Sequence, residues 1–113
     1  MSLPAYSLEN VHELAEGDKE FVATLVEAFL EEVPEDLNNM AQAVINNDSK
    51  AAYQYAHKMK PNFKLFNIDV VDQVKIIESW SQGNLPKSDA DPALNHIIAV
   101  AKVAIDALKQ DFA

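Results

Sequence analysis

Residues 51–66 read AAYQYAHKMKPNFKLF. Ala52, Ala56, Met59, Phe63 and Phe66 recur at steps of four, three, four and three, the spacing of one face of an α-helix. Counted at about 100° per residue from His57, these five fall between roughly 180° and roughly 260°. His57 lies well outside that arc and is expected to be exposed. By the same count Tyr53, Lys60, Lys64 and Pro61 all fall within roughly 60° of His57 and share its outward face. Lys58 and Asn62 lie to one side. The stretch predicts a helix with an aromatic back and a front made of one histidine, a tyrosine, lysines and a proline.

The same period runs outward in both directions. Ser7 is a candidate cap for a short first helix with Leu8, Val11 and Leu14 on one side, ended by Gly17. Asp18 then caps a long stripe of Val22, Val26, Phe29, Val33, Leu37, Met40 and Val44. Pro34 falls inside it, and the preserved phase predicts a kink there, not a stop. Asn46-Asn47-Asp48 reads as a turn with Asp48 as the cap of the next helix. Asn67 tolerates a left-handed conformation and ends that helix. A further helix is expected from about Asp69 to Ser81, with Val71, Val74, Ile77 and Trp80 inward. Gln82 to Asp91 reads as a loop, with Asp91-Pro92 opening the last helix. Its inward positions are Leu94, Ile98, Ala101, Ile105, Leu108 and Phe112. The expected fold is all-α: an antiparallel four-helix bundle with a short extra N-terminal helix.

Composition narrows the function. A chain of 113 residues with 49% hydrophobic content predicts a single folded domain. It has no cysteine, which excludes disulfides, thiol catalysis and thiolate metal sites. No run approaches the roughly 18 apolar residues of a membrane span, and no signal-peptide pattern opens the chain, so the expected compartment is the cytoplasm. The net charge of −9 opposes general nucleic-acid binding. Its distribution is uneven: residues 49–68 hold four lysines (Lys50, Lys58, Lys60, Lys64) and no acid, whereas residues 1–48 hold 11 acids and one lysine. A local positive field on a negative molecule suits a small anion better than a long polyanion.

A neutral imidazole, with a free pKa of about 6.5, is a competent nucleophile at neutral pH and can carry a covalent intermediate. Ammonium groups one and two turns away suit phosphoryl oxygens. The helix itself offers no second acid–base group, so it reads as a phosphoryl acceptor that needs chemistry from another protein.

The run Ala56-His57-Lys58-Met59-Lys60-Pro61-Asn62-Phe63-Lys64-Leu65-Phe66-Asn67 resembles the signature of histidine-containing phosphotransfer (HPt) domains of two-component phosphorelays. That signature has a phosphorylatable histidine, an aliphatic residue two on, lysine three on and usually glycine four on. The resemblance extends over nearly the whole chain, including Leu8 to Asp18, the Phe21-to-Pro34 stretch with its FLEEVPEDL, and the Asn47-Asp48 turn. It implies that His57 is the phosphoacceptor, with Lys60 and, by geometry, Lys64 stabilising charge. Tyr53, Lys58, Pro61 and Asn62 would border the partner surface. The implied partners are a response-regulator receiver domain and a hybrid sensor kinase. The domain would have no cofactor of its own, with Mg²⁺ in the receiver, and would act as a monomeric carrier, not an enzyme. The sequence departs from the pattern at Pro61 and Asn67, where glycine is usual, and at Asn62, where a small residue is usual. Pro61 feeds an alternative: a helical adaptor that binds a receiver or kinase without phosphotransfer.

Other candidates carry less. Glu9 and His12 have the Glu-x-x-His spacing of di-iron bundles, but only one copy exists and such sites need two. His57 and His96 lack a ligating residue at i+3 or i+4, so no metal site is expected. Glu31, Glu32, Glu35 and Asp36 read as a solvated face, and Trp80 as core or groove edge.

Overall fold

The computed structural model describes residues 5–112. Five helices follow in order among them: α1 (Glu9–Leu14), α2 (Lys19–Ile45), α3 (Ser49–Leu65), α4 (Val71–Ser81) and α5 (Lys87–Asp111). No strand occurs among the described residues. Helix α2 packs on α3, α3 on α4, α4 on α5, and α5 back on α2. Those four helices close an antiparallel bundle, and α1 lies against one end of α2.

The helix ends follow from local chemistry. Asp18 accepts hydrogen bonds from the backbone N–H groups of Glu20 and Phe21, and Asp48 from that of Ala51. Each satisfies orphan donors of a first turn. Helices α2 and α3 end alike. Asn47 (φ 57°) and Asn67 (φ 53°) turn left-handed, and the next N–H reaches back to Ala43 O (2.8 Å) and Phe63 O (2.9 Å). That six-to-one closure is the Schellman motif. Ser7 contributes as expected in chemistry but one residue early: its hydroxyl accepts from Glu9 N at 3.2 Å, while Leu8 occupies the cap position.

The stripe of α2 is buried throughout, from Val22 to Val44, and the helix continues unbroken through Pro34. Ala52, Ala56, Met59, Phe63 and Phe66 of the α3 region are all buried. Phe29 and Phe66 pack ring to ring at 4.4 Å, which joins α2 to the end of α3. Val74 and Ile77 of α4 point inward, while Val71 and Trp80 are half-buried.

Five expectations are corrected. Helix α5 begins at Lys87 after an extended Pro86, not at Asp91-Pro92, and Pro92 lies inside it. The earlier start is held by Lys87, whose Nζ donates to Asn47 Oδ1 (3.0 Å), pairs with Asp91 (3.6 Å) and lies 5.8 Å from the Trp80 ring. Ile97, not Ile98, is at the centre of the α5 seam, and Phe112 is 42% exposed because the helix ends before it. Leu14 is 58% exposed; α1 is too short to bury more than Val11 and the following Ala15. Asp36 does not belong to a solvated face: it is buried and lies 3.1 Å from Lys58 Nζ.

Candidate functional site

His57 sits in the middle of α3 on its outward face, with its side chain 61% exposed. The core residues Met59 and Phe63 anchor the helix behind it. Tyr53, one turn earlier, stacks on the imidazole with ring centroids 5.5 Å apart and planes within 8°. The stack limits the rotation of an otherwise solvated ring.

Helix α4 supplies the group that the sequence of α3 lacks. Glu78 Oε2 lies 3.0 Å from His57 Nδ1. The same carboxylate accepts from Lys60 Nζ at 2.9 Å and 3.1 Å through its two oxygens. Glu78 is only 8% exposed as a residue. Burial alone would raise its carboxyl, but the hydrogen bonds and charges of Lys60 and His57 outweigh it and hold the group below its ordinary range. A carboxylate held ionised is an acceptor only.

Lys60 is therefore not the free outward cation that the angular count suggests. Its side chain is 20% exposed and its ammonium is committed to Glu78. Lys64 is exposed and lines a separate depression with Asn67 and Asp69. Lys58 turns away toward α2, where its Nζ donates to Asp36 Oδ1 at 3.2 Å. That bond and the carboxylate charge hold its ammonium above the usual lysine range. Pro61 is exposed within the helix, and Asn62 is half-buried with its carbonyl bonded to Phe66 N.

The reading of the sequence misses the residues that α4 and its C-cap bring beside His57: Glu78, Lys75, Ser79 and Gln82. Glu78 had a signal, because Val71, Val74 and Glu78 keep steps of three and four, which places a carboxylate in the buried phase. Lys75 had none, since its place beside His57 depends on how α3 and α4 pack.

The remaining histidines stand apart. His12 and Glu9 are exposed on α1, and His96 Nε2 lies 3.2 Å from Asp69 O, a bond in which the ring nitrogen donates. Among the described residues no group of three or more His, Cys, Asp or Glu side chains is placed to hold a metal ion. No described helix is long and apolar enough to cross a membrane.

No curated protein and no solved structure matches the chain. A family model described as the Hpt domain matches residues 24–110. That span runs from α2 into the end of α5 and includes the His57 face. The chain thus belongs to the Hpt domain family, whose members are phosphocarriers of two-component signalling.

Proposed function

We propose that His57 is the phosphoacceptor and that the chain relays phosphoryl groups between receiver aspartates. The observation that carries this reading is the hydrogen bond between His57 Nδ1 and the ionised Glu78, 3.0 Å long, on a ring otherwise open to solvent. Because Glu78 can only accept, Nδ1 carries the ring proton and the lone pair is on Nε2. Nε2 attacks the phosphorus of an aspartyl phosphate on the receiver. The bond from phosphorus to the aspartate oxygen breaks, and its electron pair leaves with the carboxylate. No proton moves. The product ring is a phosphoimidazolium whose positive charge lies next to Glu78, which stabilises it. Attack by the aspartate of a second receiver reverses the step.

In this reading Lys60 holds the Glu78 carboxylate in place, and Tyr53 fixes the plane of the ring. Lys64 adds positive field at the far end of the face. Lys58, Pro61 and Asn62 border the surface that a response-regulator receiver or a hybrid sensor kinase covers. The receiver brings its own Mg²⁺ and most of the catalysis, so the chain is a carrier, not an enzyme. It works as a monomeric, single-domain module in the cytoplasm.

The test is transfer from a phosphorylated receiver. Wild type should gain phosphate that is labile in acid and stable in base, and His57→Gln should gain none. A cognate receiver that binds the chain yet leaves His57 unlabelled would favour the adaptor role to which Pro61 points.

A further inference from the structure

The front of His57 opens onto a shallow depression. Tyr53, His57 and Lys60 line it from α3, and Lys75, Glu78, Ser79 and Gln82 line it from α4 and its C-cap. We infer that Lys75, with Ser79 and Gln82 beside it, is the cradle for the phosphoryl group on His57. The inference rests on the reading of His57 as acceptor and assigns the charge-balancing role to Lys75 instead of Lys60 or Lys64.

Geometry and charge support it together. Lys75, Ser79 and Gln82 follow steps of four and three, so they form one stripe along α4. An ammonium, a hydroxyl and an amide can all donate to phosphoryl oxygens. Among the described residues none of these three side chains is taken up in a hydrogen bond or ion pair, although Glu78 and Lys60 close by are fully engaged. Lys64 stands seven residues beyond His57, about 10 Å along the helix axis, and faces a different depression.

The charges decide between the lysines. Glu78 and Lys60 neutralise each other at 2.9 Å. A phosphoimidazolium with a doubly ionised phosphoryl group carries one net negative charge. Lys75 is the lysine lining this depression that no carboxylate holds, and its single positive charge brings the loaded site to neutrality. A phosphoryl group held there stays in its dianionic form to lower pH than one without a cation beside it.

Potassium phosphoramidate tests this without a receiver. Nε2 attacks its phosphorus, the phosphorus–nitrogen bond of the protonated donor breaks, and the electron pair leaves on ammonia. The last ionisation of the phosphoryl group is then followed by ³¹P NMR across pH. In Lys75→Ala the midpoint should rise by about half a pH unit, the effect of one charge at roughly 6 Å in a water-like dielectric. Lys75→Arg should restore it, and Ser79→Ala should move it less. A Lys75→Ala protein that loads normally and titrates like wild type overturns the cradle and leaves the acceptor reading intact. A His57→Gln protein that loads as well as wild type, or a wild type that takes no label, overturns both.

Discussion

Replacing Glu78 by glutamine removes a charge and keeps the shape. The carboxylate now takes two contacts from Lys60 and one from His57, all between 2.9 and 3.1 Å. Glutamine retains one acceptor oxygen and turns an N–H₂ group toward the other donor. At least one charge-assisted bond is lost, and such bonds contribute about 1.5–3 kcal/mol. Lys60, 20% exposed, recovers part of its loss by turning to water. The net destabilisation should be about 2 kcal/mol at neutral pH, or about 8 °C in Tm for a domain of this size. Its pH dependence carries the sharper test. The Glu78 carboxyl is lowered in the folded chain from its ordinary 4.5, so its stabilisation is complete above that value. It is lost as pH falls through the lowered folded value. Urea unfolding followed by far-UV circular dichroism should therefore show a gap between wild type and Glu78→Gln at pH 7 that narrows at an acidic pH well below 4.5. A gap of the same size at both pH values, or none at pH 7, refutes the assignment of Glu78 as the ionised hub of the site.

Three further outcomes are expected. Pro61→Ala restores an N–H within α3 and should raise stability by about 2 kcal/mol, the roughly 3 kcal/mol helical cost of proline less its stiffening of the unfolded chain, read as a higher urea midpoint. Tyr6 donates to Asp111, and its burial, that bond and the carboxylate charge push its hydroxyl up to about 12; ultraviolet titration should show one late tyrosine that Tyr6→Phe removes. Lys58→Met leaves Asp36 buried without its cation. It should lower the thermal midpoint, and adding Asp36→Leu should recover most of the loss, because an apolar pair avoids the uncompensated buried charge.

What the sequence makes legible is whatever lies on one helix. The five buried positions of α3 and the outward place of His57, Tyr53 and Lys64 follow from a count of about 100° per residue, because a helix fixes those angles before anything packs on it. The caps at Asp18, Asp48 and Asn67 are equally local. The partners of a side chain across helices are not. Lys60 reads as a free cation on α3 alone; only the packing of α4 turns it toward Glu78. Asp36 reads as one of four acids on α2 until α3 brings Lys58 over it. Both hidden carboxylates do keep phase with apolar neighbours, Asp36 three after Val33 and Glu78 four after Val74. A charged residue at a core register is therefore the local trace of an interhelical pair. The start of α5 is hidden for a different reason. Asp91-Pro92 is a good cap in isolation, but Pro86, already extended, and the anchored Lys87 open the helix earlier.

Prolines lie inside three of the helices, at Pro34, Pro61 and Pro92. Each deprives a carbonyl four residues back of its helical donor: Leu30, His57 and Ser88. In α2 a long buried stripe continues on both sides of the proline, and in α5 one follows it from Ala93 to Leu108 with Ala90 buried before it, so packing holds each helix together. Helix α3 has only four residues left after Pro61. Its end is secured from outside. Phe63 and Phe66 are buried, and Ser7 N donates to Phe66 O at 2.9 Å. Asn10 Nδ2 reaches Lys64 O and Asn67 Oδ1 at 3.2 and 3.3 Å. The segment around α1 thus does for the end of α3 what the missing Pro61 bond would otherwise do. That support carries a consequence for the site. The carbonyl freed by Pro61 belongs to His57 itself and lies beside an exposed ring, so the helix can give up this bond without letting the histidine drift. A glycine in place of Pro61 would have kept an N–H for that carbonyl inside the helix.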